Sequence, residues 1–109
     1  MKIYLRKTTE NDFYLTEMIT RESFWNLYRP GCVEHLLLHN LRKSDCYIRE
    51  LDIVAVYGNQ IVGHIISTQA KVTDEHDHEH EILCAGPLSV LPEFQKQGIG
   101  SKLDRKSVV

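Results

Sequence analysis

The residues most open to a chemical reading lie near the C-terminal end: Gln95-Lys96-Gln97-Gly98-Ile99-Gly100-Ser101. Gly98 and Gly100 carry no Cβ, so main-chain N–H groups there can lie close to a ligand. The pattern behind them turns helical. The first N–H groups of a helix have no internal partners and sit at the positive end of its dipole. A glycine turn opening a helix is therefore an anion site suited to phosphate or pyrophosphate. Lys96 and Lys102 would add positive charge beside it. A G-x-G of this length is also compatible with a plain strand–turn–helix connection whose glycines serve turn geometry. A dinucleotide fingerprint would need a third glycine and a P-loop would need a Gly-Lys-Ser/Thr triplet, and the segment has neither.

Other side chains have weaker claims. His76, His78 and His80 alternate within Asp74-Glu75-His76-Asp77-His78-Glu79-His80-Glu81. An extended chain would place the three imidazoles on one face, about 6–7 Å apart, a spacing open to Zn, Ni or Cu. The preferred reading is a solvated loop between strands, with no metal expected; its acids would attract a cationic amine if they lay beside a cleft. Glu81 is the one candidate general base, against the plainer reading of a strand-end carboxylate. Cys84 on the same stretch has no evident activating base and reads as a buried apolar thiol. His64 sits in an apolar run and reads as a satisfied packing residue.

These residues need elements to hold them. Ile3 to Thr8 is β-prone, and Thr9 to Asp12 forms a helix-start box with Asp in place of Glu. Tyr14, Leu15, Met18 and Ile19 recur at helical spacing and predict one apolar stripe. Phe24, Trp25 and Tyr28 follow, with core as their simplest role, and Pro30-Gly31 interrupts the chain. Val33, Leu36, Leu37 and Leu41 predict a second amphipathic helix. From Ile53 the pattern becomes β-branched. Gly58-Asn59 predicts a hairpin between Ile53–Tyr57 and Ile61–Ile66, and Thr73 to Glu81 separates it from a strand over Ile82–Val90. Gly86-Pro87 inside that strand predicts a bulge or splayed edge, and Gly98 to Lys106 predicts a last helix. The order is β-α-α-β-β-β-α, an α/β (α+β) domain on a mostly antiparallel sheet flanked by helices.

The chain of 109 residues suits a single domain over 1–109. Its 13 basic and 15 acidic side chains give a formal charge of −2, against a nucleic-acid module with a basic surface. No apolar run approaches the roughly 18 residues of a membrane helix, and the first residues do not form a signal peptide. Three widely spaced cysteines without a CxxC pair disfavour a disulfide framework and predict a cytoplasmic protein.

Gln95-Lys96-Gln97-Gly98-Ile99-Gly100 resembles the Q/R-x-x-G-x-G/A signature of the GNAT superfamily, the Gcn5-related N-acetyltransferases. The flank Leu88-Ser89-Val90-Leu91-Pro92-Glu93-Phe94, the hairpin Tyr57 to Ile65 and the element order resemble the same family. The resemblance implies that Gln95, Lys96, Gln97, Gly98, Ile99 and Gly100, with the Ser101 hydroxyl, wrap the pyrophosphate of acetyl-CoA. It implies that Leu88, Ser89 and Val90 bind the pantetheine arm through their main chain. The implied reaction moves an acetyl group directly from the thioester to a small-molecule or peptide amine, with a carboxylate base and a tyrosine acid. The region around Trp25 would then border the acceptor. In the family that tyrosine lies on a later helix, and the sequence stops at Val109, so its catalytic residues stay unassigned. The expectation is a GNAT domain cut short after the cofactor motif, its C-terminal elements missing. Its Ile82–Val90 strand would be an open edge, and it would turn over acetyl-CoA, bind CoA without turnover, or complete its fold as a homodimer.

Overall fold

The computed structural model describes residues 2–25 and 31–107. Strand β1 (Ile3–Lys7) leads into helices α1 (Phe13–Phe24) and α2 (Glu34–Leu41). Strands β2 (Tyr47–Tyr57), β3 (Gln60–Thr73) and β4 (Glu79–Val90) follow, and helix α3 (Ile99–Ser107) closes the chain. Single 3-10 turns at Glu10–Asp12 and Pro92–Phe94 are the only helical additions to the expected order among the described residues. The strands form one antiparallel sheet, β1-β2-β3-β4. Of the aromatic cluster expected near the core, Trp25 is half-exposed beneath the Arg21 guanidinium, 4.2 Å from its ring centroid. Tyr28 and Pro30 lie outside the described residues.

Local sequence explains the joints. Gly58 takes φ +61° where Tyr57 pairs with Gln60, as a two-residue hairpin turn with glycine first requires. The Thr9–Asp12 box forms: Thr9 N–H and Oγ1 both donate to Asp12 Oδ2 at 2.9 Å. Arg6 Nη1 also donates to that oxygen at 2.7 Å. This bond holds the Asp12 carboxyl at about 2, burial notwithstanding. In β4, Leu88 pairs with Ile65 and Ala85 with Ser67, so Gly86-Pro87 stand opposite Ile66 alone. That is the expected bulge, with Gly86 at φ +128° and a cis bond to Pro87.

The two faces of the sheet differ. Ile53, Ala55, Gly63 and Ile65 share one face by register and pack against Ile99 and Leu103 of α3. A Cβ on Gly63 would stand 3.1 Å from Leu103 Cδ1, so the missing side chain lets α3 sit close. Val54, His64 and Ser89 point the other way, toward α1 and α2.

There the expected apolar stripes form the contact only in part: Ile19 is buried in the core, and Met18 and Leu41 are half-buried. Tyr14 and Leu15 are 71% and 53% exposed, and the buried residues of α1 are Thr16, Ile19 and Thr20. The threonines can be buried because Thr16 Oγ1 donates to Phe13 O (2.9 Å) and Thr20 Oγ1 to Thr16 O (2.8 Å). In α2, Leu36 and Leu37 are 55% and 50% exposed, Val33 is also exposed, and the buried leucine is Leu38.

Beyond Tyr47–Thr68, where the register of β2 ends, β3 and β4 continue as a two-stranded ribbon to Thr73–Glu79. The strands therefore reach further into the polar stretch than its composition predicts. Among the described residues β4 pairs with β3 alone. Cys84 lies on this ribbon and is exposed, contrary to the buried thiol expected, because no element among the described residues covers the edge strand there.

Candidate functional site: a cradle at the start of helix α3

The chain leaves β4 at Val90 through a tightly bonded turn. Leu91 N–H donates to Val62 O at 2.9 Å and Phe94 N–H to Leu91 O at 2.8 Å. Lys96 and Gly98 then take positive φ, +64° and +83°, before α3 opens at Ile99. Gly98 needs to be glycine for that backbone, and a Cβ there would meet nothing within 4 Å. The first intrahelical bond runs from Lys102 N–H to Gly98 O at 3.1 Å. The N–H groups of Ile99, Gly100 and Ser101 therefore precede the helical ladder.

Val90, Phe94, Gln95, Lys96, Gly98, Ile99, Gly100 and Ser101 line one open cleft of about 250 Å³. It thus gathers most of the residues expected to hold a cofactor. Gly100 faces the Leu88 and Val90 side chains, whose Cδ2 and Cγ2 atoms lie 3.8 and 3.9 Å from where its Cβ would be. Ser89 is buried on the opposite face, its hydroxyl donating to Thr20 Oγ1 at 3.1 Å. The bond from Leu91 N–H to Val62 O sets a register in which the Ser89 main chain pairs with His64 of β3, while those of Leu88 and Val90 face the edge. Gln97 is exposed on the turn and does not line the cleft. Main-chain donors at a helix start beside Lys96 suit a pyrophosphate, while Lys102 does not line the cleft.

The remaining candidates fall elsewhere. Glu81 accepts a bond from Gln69 Nε2 at 2.8 Å on the exposed ribbon, five residues before the bulge, or about 17 Å of strand. The three histidines do not line up on an extended chain. Asp74 folds the tip by accepting from the N–H groups of His76 (2.8 Å) and His78 (2.9 Å), and its other oxygen meets His80 Nε2 at 2.8 Å. Among the described residues no three His, Cys, Asp or Glu side chains converge as a metal site.

Sequence reading missed a buried polar network on the α1 side. Arg42, just past α2, donates to Asp52 Oδ2 (3.0 Å), Thr16 Oγ1 (2.8 Å) and Phe13 O (3.2 Å), with its guanidinium 4.1 Å from the Phe13 ring centroid. Asp52 also accepts from Tyr47 Oη at 2.7 Å and from His64 Nε2 at 2.5 Å. Burial opposes the Asp52 charge, but the hydrogen bonds from His64 and Arg42 outweigh it and hold the carboxyl well below the carboxylate range. Burial in turn pushes the His64 imidazole down despite Asp52, so it is neutral, with the proton on Nε2. Its Nδ1 has no partner, so His64 is only half satisfied. The hydroxyl stripe Thr16, Thr20, Ser23, at i, i+4 and i+7, was the available signal for this seam.

A four-stranded antiparallel sheet with a bulged β4, followed by a glycine turn that opens a helix, is the frame that the sequence resemblance implies. Comparison with known proteins agrees. The model of the acetyltransferase (GNAT) family matches residues 19–106, and the chain belongs to that family. An uncharacterized N-acetyltransferase of Escherichia coli K12, YjhQ, is 38% identical over 72 residues, which is 66% of this chain and 39% of that protein. Among solved structures, a GNAT family acetyltransferase from Brucella melitensis in complex with acetyl-CoA superposes with a TM-score of 0.82 at 27% identity. That match covers 96% of this chain and 65% of the other. An aminoglycoside acetyltransferase from an uncultured soil metagenomic sample shares the fold, with a TM-score of 0.61 at 19% identity over 97% of this chain and 69% of its own. The chain thus spans less than two thirds of both the YjhQ and the Brucella proteins. No helix among the described residues is long and apolar enough to cross a membrane.

Proposed function

We propose that the chain binds acetyl-CoA at the α3 cradle and serves direct transfer of its acetyl group to an amine. The single observation that carries this reading is the turn at Lys96 and Gly98, which brings the first residues of α3, whose N–H groups precede the helical ladder, to the wall of the cleft. Gln95, Lys96, Gly98, Ile99, Gly100 and Ser101 would hold the pyrophosphate there, with Gln97 at the rim. Helix-terminal donors and two lysines match a ligand of several negative charges. The main chain along Leu88, Ser89 and Val90 would take the pantetheine arm, at Leu88 and, since the Val90 carbonyl already accepts two bonds, through the Val90 N–H. That role is supported by the bulge at Gly86-Pro87 and by the free side of β4.

In the transfer, the amine nitrogen forms a bond to the thioester carbonyl carbon and the C–S bond breaks. The amine gives up a proton and the departing thiolate takes one, leaving an amide and free CoA. Main-chain donors near the bulge would polarise the carbonyl as charge builds on its oxygen. Cys84 is exposed and has no hydrogen-bond partner among the described residues, so nothing prepares it to carry the acetyl group covalently. The acceptor is an amine on a small molecule or peptide.

A second reading, binding of CoA without turnover, is favoured by the place of the candidate base: Glu81 lies on the exposed ribbon, about 17 Å of strand from the bulge. Calorimetric titration with acetyl-CoA, followed by an assay for released thiol with a panel of amines, separates the two. Gly100→Asp is the control. An acidic residue in the first turn suits the helix dipole, and its Cβ has room, so folding should persist while acetyl-CoA affinity falls at least about tenfold by repulsion. Unchanged affinity in this variant would remove the cradle from the site.

A further inference from the structure

The carbonyl of Val90, the last residue of β4, accepts two hydrogen bonds. Ser23 Oγ donates from α1 at 2.9 Å and Gln95 Nε2 donates from the turn at 2.9 Å. A carbonyl oxygen has two lone pairs, so its acceptor capacity is filled. One residue earlier, the Ser89 hydroxyl bonds to Thr20 of α1 at 3.1 Å. Thr20 and Ser23 stand about one helical turn apart on the same face. Helix α1 therefore grips two consecutive residues at the end of β4, one by side chain and one by main chain.

The hydroxyls of α1 do not all behave alike. Those of Thr16 and Thr20 turn back to carbonyls of their own helix, whereas Ser23 reaches across to another element. What it reaches is the hinge of the candidate site. The main chain beyond Val90 runs at once into the bonded turn at Leu91, Phe94 and Gln95, then to Lys96, Gly98 and the start of α3.

We propose that Ser23 is a positioning residue for the cofactor loop: through the Val90 carbonyl, which it shares with Gln95, it sets the direction in which the chain leaves β4 and so aims the cradle. The assignment rests on the reading of that cradle as the acetyl-CoA site. It gives α1 a part in cofactor binding although no residue of α1 lines the cleft. Ser23 and Gln95 act on one atom, so their losses are coupled rather than additive.

Two readouts on Ser23→Ala and Ser23→Thr test this. In the ligand-free protein, amide hydrogen exchange at Phe94 and Gln95 should quicken about tenfold in Ser23→Ala, the equivalent of about 1.4 kcal/mol. Exchange at Val54 and Ile65 in the core strands should not change. Acetyl-CoA affinity, by calorimetry, should fall about fivefold, the size of one hydrogen bond lost at a distance. Ser23→Thr keeps a hydroxyl and should restore both. Exchange unchanged at Phe94 and Gln95, or raised equally across the whole sheet, would overturn the assignment. So would full acetyl-CoA affinity in Ser23→Ala. A wild-type chain that binds no acetyl-CoA, with the turn still loosened in Ser23→Ala, would overturn the cofactor reading while supporting the hold of Ser23 on the turn.

Discussion

The sheet carries helices on both faces, and the two attachments use different chemistry. Helix α3 is held by apolar contact: Ile99 and Leu103 lie against Ile53, Ala55 and Ile65, with Gly63 allowing close approach. Helices α1 and α2 bury Ile19 and Leu38 and, beside them, a set of polar groups. Thr16, Thr20, Arg42, Asp52, His64 and Ser89 form the seam, while Tyr14, Leu15, Leu36 and Leu37 face outward. Apolar packing tolerates small shifts and is broken by cavities. A polar seam is directional, so each lost partner leaves a buried group unsatisfied. The face that meets the cofactor loop through Ser23 and Ser89 is thus the one with the more exacting geometry.

Breaking the polar seam at its centre should cost most. Asp52→Ala leaves the buried Arg42 guanidinium with only the longer carboxylate contact, to Glu17 Oε2 at 3.4 Å, an effect of about 3 kcal/mol and a large part of a small domain's stability. Denaturant titration measures it, and a loss under about 1 kcal/mol would mean that water replaces the carboxylate at little cost. On the apolar side, Leu103→Ala should cost about 3 kcal/mol through transfer and cavity terms. A much smaller loss would show that α3 is only loosely seated.

Acid separates the faces more sharply. The carboxyls of Asp12 and Asp52 lie below their unfolded values in the folded protein, and so does the imidazole of His64. In each case the unfolded chain takes up more protons as the pH falls, so stability present at pH 7 is lost on acidification. The loss begins below about 6.5 with His64 and deepens between about 4 and 2 with Asp12 and Asp52. Asp12→Asn should remove about 2 kcal/mol at pH 7 and flatten part of the lower limb of a pH–stability curve. An unaltered curve would contradict the Arg6–Asp12 pairing. The smallest effect should come from the outward stripe: Leu36→Gln with Leu37→Gln should change stability by no more than about 0.5 kcal/mol. A loss of several kcal/mol would show that those leucines are covered in solution.

The same contrast explains what could be read from the residues. The hairpin at Gly58, the bulge at Gly86-Pro87, the turn before α3 and the inward pair Ile99 and Leu103 all follow from local rules of backbone freedom and period. They were legible in the sequence for that reason. The stripes over Tyr14–Ile19 and Val33–Leu41 obeyed the right period for a helix, but apart from the buried Ile19 their centre was rotated from the buried face. Amphipathic counting assumes that the buried side is the apolar one, and here hydroxyls satisfied by their own helix are buried instead. Arg42, Asp52 and His64 lie 10 and 12 residues apart along the chain, a spacing no local rule links. Cys84 was misplaced because Ile82-Leu83-Cys84-Ala85 is an unbroken apolar run, as a covered strand would show, while the ribbon exposes that stretch. The cradle residues were found through motif and context, and Ser23 was not, since its partner lies 67 residues away.

The central claim is that acetyl-CoA binds where α3 begins. Amide chemical-shift mapping of the labelled chain during an acetyl-CoA titration tests it most directly. The account predicts the largest shifts at Lys96, Gly98, Ile99, Gly100 and Ser101, smaller ones at Leu88 and Val90, and little change at Leu36, Leu37 or the Asp74–His80 tip. Saturating shifts centred elsewhere, for instance around Ile19, Ile61 and Asn59, or none in a folded protein, would contradict it.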